Sequence, residues 1–571
     1  MNEEIFDIKK NLDFAISCIQ NNKYSEAIKI YEKILQENKD IFDANSNLGM
    51  LYAQQNNLEK AEKYLNDAIK IDSNNPFALN NLASILIRLG KYDVSIEYSQ
   101  KAINIKQDFS LAYNNLGLAQ QNLKKNDDAI RSFSKAIEKE KSNVLPYYNL
   151  AILYENLNDI KNSEKYYLKA IETNPKYFSA YNNIMNLYER TNEDSKLKLI
   201  IESAEKEFSD NFLIKLFKGK LQFKSKLYSD AISNLESFKF EKNNYIKEVL
   251  RCHTLANSYD EINKFDKAFE YFELSNSINL KINKNVVNRY AAIEVIEKRI
   301  NFFNEKNLKD WKSINIENNK KNPIFIIGFP RSGTTLLDTI LRSHPKVDVI
   351  EEKPIVNNFI ELLNEQINFN FSNLKDLDQK LSEKMRIKYF DILSNYTKLE
   401  NQKIYIDKMP LNIIYVGEIV RIFPDAKFIL AIRHPCDCIL SCFMQSFSLN
   451  DSMANFTDLK STSNFYNQVM ILWQQYLRVL KVKYHLIRYE DLVSNFDISV
   501  NQLLNFLDLE WSDSINKFYD LPKDRGKIST PSYNQVNKPI YSKSVGRWKN
   551  YENKFKEIYP IIEPWIKKFN Y

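Results

Sequence analysis

The chain has 571 residues and only 9 Gly, where an average usage of about 7% would give roughly 40. Gly costs about 1 kcal/mol inside a helix, so the scarcity predicts a mostly helical chain and disfavours turn-rich folds such as propellers. A net charge of +7 over this length permits an anionic ligand without calling for nucleic acid. The length exceeds one ordinary domain, and 44% hydrophobic residues can build real cores. No stretch approaches about 18 apolar residues, so no spanning helix or membrane partner is expected. The opening MNEEIFDIKKNLDF has neither a basic nor an apolar leader region, so no signal peptide is expected. The five Cys (Cys18, Cys252, Cys436, Cys438, Cys442) make a poor disulfide framework, and the last three lack a second ligand pair. Buried thiols, no metal and a cytoplasmic protein are the expectation.

In chain order, the first feature is a repeat. Leu48-Gly49, Leu82-Ala83, Leu116-Gly117, Leu150-Ala151 and Ile184-Met185 recur with a period of 34. Small residues follow in register at Ala61, Ser95, Ala129 and Ser163, then at Ala68, Ala102, Ala136 and Ala170. Small residues at these points let paired antiparallel helices approach closely, while larger apolar residues fill the groove toward the next pair. The pattern resembles the tetratricopeptide repeat family. Weaker copies surround Ala27, Ala231 and Ala268, the last two 37 apart, which implies about eight repeats. A solenoid of this kind implies a concave surface for a peptide or protein partner. A spacer or homodimerisation arm is the alternative use. Asn45, Asn81, Asn115, Asn149 and Asn182 are expected on the concave face, where an amide suits an extended peptide backbone.

The polar IENNKKN segment then reads as a linker, and the chemistry follows it in PIFIIGFPRSGTTLLDTILRSHP. Residues 324–328 form a short apolar β run, and 334–342 read as a helix with Leu336, Leu337 and Ile340 on one face. Strand, tight loop and helix present backbone N–H groups and the helix dipole to an anion. Gly333 allows close backbone approach, Ser332, Thr334 and Thr335 add hydroxyls, and Arg331 adds charge. The loop is not a G-x-x-x-x-G-K-[ST] phosphate loop, because Thr334 follows Gly333 where that motif needs Lys. Further strands are predicted at 403–407, 427–432 and 484–488, alternating with helices as in a parallel sheet. Arg433 closes the third predicted strand, and Ser441 follows eight residues on.

The GFPRSGTT loop resembles the 5′-phosphosulfate loop of sulfotransferases that use 3′-phosphoadenylyl sulfate (PAPS), and Arg433 with Ser441 resembles their 3′-phosphate site. HPKVDVIEEKPIV, IYIDKMPLN, HLIRYEDLV and QVNKPIYSKSVGRWKNY are similar to segments of the tyrosylprotein sulfotransferases and their TPR-bearing bacterial relatives. The resemblance implies Glu352 as general base, and Arg331 and Lys408 as catalytic cations at the sulfuryl and bridging oxygens. It implies Pro330, Arg331, Ser332, Gly333, Thr334, Thr335, Arg433, Ser441, Tyr489, Lys538 and Arg547 as donor-binding positions. His344 and His434 are the lesser candidates for the base. The chain departs from that family with Lys353-Pro354 in place of Thr-Arg after the Glu pair, at a point that grips acidic peptide substrate. It also has Val349 and Ile406 where the luminal enzymes carry Cys, in keeping with a reducing compartment.

The fold expected is an all-α TPR solenoid over 1–285, a capping helix and linker over 286–320, and a P-loop-like α/β domain with a parallel sheet over 321–571. The function expected is sulfuryl transfer from PAPS to a hydroxyl, protein tyrosine being the leading acceptor. The alternatives are sulfation of a carbohydrate or small molecule with the repeats used for assembly, and a TPR scaffold whose nucleotide-binding domain is inactive.

Overall fold

Close approach of paired helices needs a tight reversal between them, and one backbone state supplies it throughout the first half of the chain. In a computed structural model, residues 7–240, 244–309, 311, 322–368, 370–400, 402–524 and 544–571 are described. Antiparallel helix pairs run from Ile8–Gln20 with Tyr24–Glu37 to Tyr245–Glu261 with Phe265–Asn283, eight pairs among the described residues. Between the two helices of each pair one residue is left-handed: Asn22, Asn56, Gly90, Lys124, Asn158, Asn192, Lys226 and Asn263. The first seven keep the 34-residue step. The following N–H reaches back five residues each time, as in Lys23 to the Cys18 carbonyl at 2.8 Å and Lys264 to the Tyr259 carbonyl at 2.9 Å. This is the Schellman closure, which satisfies carbonyls left open at a helix end. Asn tolerates the left-handed region better than other non-Gly residues, so part of the chain's Asn content has a local conformational cause.

The small residues of the pattern lie where backbones meet. Ala27, Ala61, Ser95, Ala129, Ser163, Ala231 and Ala268 are fully buried. A Cβ on Gly117 would come within 2.7 Å of the Phe133 ring, and one on Gly49 within 2.8 Å of Leu65. The asparagines have partners within the chain. The Asn45 amide is buried and donates to the Lys39 and Ile41 carbonyls at 2.8 and 3.0 Å. Asn115 donates to the Asn80 side chain at 2.9 Å and Asn149 to that of Asn114 at 2.8 Å. A buried amide must find partners: Asn45 finds them in the loop ahead of its own helix, whereas Asn115 and Asn149 find them in the preceding repeat and stitch one repeat to the next.

The chain divides into two compact units, residues 1–221 and 222–571. The second holds the last helix pair together with a five-stranded parallel sheet of β1 (Ile324–Gly328), β2 (Val347–Glu351), β3 (Ile404–Lys408), β4 (Lys427–Ile432) and β5 (Lys483–Arg488). The order is β2-β3-β1-β4-β5. β1 and β4 are buried almost throughout, as expected of central strands covered on both faces. β2 is the strand that the sequence reading left out. Its V-D-V-I-E run places two carboxylates, Asp348 and Glu351, in an edge strand, which blurs the apolar signal. The chain leaves β1 toward β2 and β3 on one side and leaves β4 toward β5 on the other. Their carboxyl ends therefore open a crevice at the point where the winding reverses, the usual ligand position of such sheets.

Candidate active site

Two side-chain clusters stand at the carboxyl ends of adjacent strands. The first lies between β1 and β4. β1 ends at Gly328, where a Cβ would come within 2.4 Å of the Ala431 carbonyl oxygen. The loop then passes Pro330 and Arg331 and turns into the helix Thr334–Arg342 at Gly333, which is left-handed at φ 98°. A Cβ on Gly333 would lie 2.7 Å from the Tyr489 ring, so the small residue admits that ring. Arg331 is itself left-handed at φ 69°, and its Nε donates to Ser441 Oγ at 3.0 Å. Arg433 Nη1 donates to the Arg331 carbonyl at 3.4 Å, and its guanidinium lies 5.0 Å from the centre of the Tyr489 ring. Arg433 also donates to the Ser544 carbonyl. Arg331, Arg433, Ser441, Ser544 and Arg547 line one cavity.

The loop hydroxyls share this position. Ser332 is buried, and its hydroxyl has no hydrogen-bond partner among the described residues. A buried donor without a partner costs on the order of 1–3 kcal/mol, which an anionic oxygen at the loop would remove. Thr334 is buried at the start of the helix, and Thr335 is half-buried beside it. Lys538 lies outside the described residues.

The second cluster joins β2 and β3. Glu351 and Lys408 are paired in register, and the Glu352 N–H donates to the Lys408 carbonyl at 2.8 Å. Glu352 then adopts a left-handed φ of 48°, which costs a non-Gly residue about 1 kcal/mol or more. Lys408 is fully buried, and its Nζ donates to Glu352 Oε1 at 2.8 Å and Glu351 Oε1 at 3.2 Å. Burial opposes the Lys408 charge, but Glu352, Asp338 and Glu351 together outweigh it and hold the ammonium above the usual lysine range. The lysine is therefore a permanent cation at neutral pH. Glu352 is the outermost member of the trio, its side chain 36% exposed.

The two histidines are engaged elsewhere. His344 lies in a turn, with Nδ1 accepting from the Lys346 N–H at 3.2 Å and Nε2 against the Glu510 carbonyl at 3.1 Å. His434 caps the helix Pro435–Phe443 through Nδ1 and stacks on Trp548 with ring centres 5.2 Å apart. Burial lowers its basicity. Cys436, Cys438 and Cys442 lie along that helix and are buried, and burial pushes the Cys438 thiol up to about 12. Sequence reasoning missed Asp437, which is buried one turn after Arg433. Its carboxylate accepts from the N–H groups of Gly546 at 2.7 Å and Trp548 at 2.9 Å. The only signal was its spacing of four from Arg433.

Residues 323–513 match the sulfotransferase family model, and 19–77, 78–109, 111–142, 146–177 and 251–281 match tetratricopeptide repeat models. The chain carries a sulfotransferase-family domain behind tetratricopeptide repeats. An uncharacterised protein of Aquifex aeolicus is 30% identical over 43% of this chain and 33% of its own length. Protein-tyrosine sulfotransferase 2 of Gallus gallus is 24% identical over 39% of this chain and 62% of its own. The chain thus spans between a third and two thirds of the length of these curated relatives. Among solved structures, a tetratricopeptide repeat protein of Parabacteroides merdae aligns over 44% of this chain and 98% of its own, at 18% identity and a TM-score of 0.34. Among the described residues of this TPR–sulfotransferase chain, no helix is long and apolar enough to cross a membrane.

Proposed function

We propose that the chain moves a sulfuryl group from PAPS to a hydroxyl acceptor, protein tyrosine being the leading case. The observation that carries this reading is the buried Lys408 held between Glu351 and Glu352, one strand away from the Arg331–Ser441–Arg433 cluster. Sulfuryl transfer resembles phosphoryl transfer in being governed by positioning and by positive charge at the in-line centre. Glu352 takes the proton of the acceptor hydroxyl as the new oxygen–sulfur bond forms. The sulfur–oxygen bond to the donor breaks, and the electron pair leaves on the 5′-phosphate of adenosine 3′,5′-bisphosphate. Arg331 and Lys408 meet the charge on the sulfuryl and bridging oxygens. Arg433, Ser441, Tyr489, Lys538 and Arg547 hold the nucleotide, with the Pro330–Thr335 loop around its 5′ end. A buried, unpartnered Ser332 hydroxyl supports an anion at that loop.

The solenoid is read as the acceptor-binding part, over residues 1–285, and residues 321–571 as the catalytic part. The free, buried state of all five Cys supports a reducing, cytoplasmic setting. The test is transfer of labelled sulfate from PAPS into a lysate by the full chain. A labelled protein band whose label sits on tyrosine is the expected product; a labelled glycan or small molecule overturns the tyrosine reading. Glu352→Gln is expected to lower turnover by about 10²- to 10⁴-fold while leaving adenosine 3′,5′-bisphosphate binding intact. Unchanged turnover would remove Glu352 as the base.

A further inference from the structure

The eighth helix pair matches a repeat model at 251–281, yet it belongs to the same compact unit as the parallel sheet. Its first helix, Tyr245–Glu261, buries Asp260. Asp260 Oδ2 accepts from Arg547 Nη2 at 2.5 Å, and Oδ1 accepts from the Tyr551 hydroxyl at 2.6 Å. Arg547 lines the cavity of Arg331, Arg433 and Ser441. Asp437 pins the backbone on both sides of Arg547, through Gly546 and Trp548. One carboxylate therefore fixes the main chain at this arginine, and a second, from a repeat helix, fixes its side chain. The same pair braces the helix that carries Ser441. Asn276 donates to the Phe443 carbonyl at 2.8 Å, and His253 Nε2 lies 3.0 Å from the Met444 carbonyl.

We propose that Asp260, on the last helical repeat, is a positioning residue for the donor nucleotide: it orients the Arg547 guanidinium toward the 3′-phosphate. This rests on the PAPS reading above. A guanidinium carries five N–H donors in a rigid fork. Asp260 engages it through Nη2, so the pairing sets the plane of the fork without using up its donors. Holding a long side chain in its binding pose before the ligand arrives removes ordering entropy from the binding step. The last repeat is then a component of the donor site, and its function differs from that of the repeats before it.

Calorimetric titration of the full chain with adenosine 3′,5′-bisphosphate and with adenosine 5′-monophosphate tests this. Asp260→Ala should weaken the bisphosphate by about tenfold and the monophosphate by less than about twofold, since only a 3′-phosphate senses the arginine. In an Arg547→Ala background, Asp260→Ala should add no further loss, because two residues acting through one contact do not add. Asp260→Asn keeps the side-chain shape and covers the case in which the alanine variant does not fold; a loss selective for the bisphosphate is again expected. Equal losses for both nucleotides, or a full second loss on top of Arg547→Ala, would show a merely structural carboxylate and overturn the proposal. Failure of the unsubstituted chain to bind the bisphosphate would overturn the PAPS reading itself, and with it this one.

Discussion

Asp407 and Lys408 are neighbours on β3 and are both buried, yet their surroundings drive them to opposite ends of titration. Lys408 has three carboxylates around it and stays charged. Among the described residues, Asp407 has the Tyr389 hydroxyl at 3.4 Å and the Asn412 amide at 3.5 Å. Burial pushes its carboxyl up to about 7, against the weak pull of Tyr389. Asp338 moves the same way, up to about 6, because burial outweighs Arg342 and Lys408. An unfolded Asp titrates near 3.9, so between there and about 6 to 7 the folded state binds the extra protons. Stability then falls as pH rises through that window. The urea midpoint is expected to drop between about pH 4 and about pH 7, and Asp407→Asn should flatten part of the drop. Parallel profiles for the two proteins would refute the assignment. None of this was legible in IYIDKMPLN, where Asp407 reads as a carboxylate flanking the motif; its environment is made by Tyr389 and Asn412 together with the neighbouring strands.

At the scale of elements, legibility followed the range of the interactions. The strand β1, the Gly333 loop and the helix after it are set by residues within twenty positions, and their chemistry is visible in the string itself. β2 was missed because an edge strand interrupted by Asp348 and ended by Glu351 lacks a continuous apolar run. The left-handed backbone of Glu352 has no sequence mark at all. The repeat turns were half visible: the 34-residue period was plain, but not that Asn at the turn serves a backbone state. That reading predicts an asymmetry. Asn158→Ala should cost about 1 kcal/mol or slightly more, whereas Asn158→Gly should be near neutral, because Gly enters the left-handed region freely. Thermal unfolding of the two variants checks it, and an equal loss in both would mean that the Asn side chain itself holds the turn.

For the whole molecule, the contacts that tie the eighth pair to the sheet domain span long separations: Asp260 to Arg547, Asn276 to Phe443, and His253 to Met444. No local pattern announces them, so a repeat count alone treats all eight pairs as equivalent. Removal of residues 1–211, which leaves the helix Phe212–Lys224 whole, is expected to preserve adenosine 3′,5′-bisphosphate binding within about threefold, since repeats contact mainly their neighbours. Removal of 1–283 takes away Asp260, His253 and Asn276 and is expected to abolish that binding. Titration of both proteins decides it; equal behaviour would show that the eighth pair is dispensable for the donor.

The regular left-handed turns carry one more consequence. Because seven of them stand 34 residues apart, the module of the array is one helix pair closed by one left-handed turn. A change of length by 34 residues would keep every later Schellman turn and buried small residue in phase, whereas a change by any other number would not. The 37-residue step between Lys226 and Asn263 sets the pair that carries Asp260 outside this module.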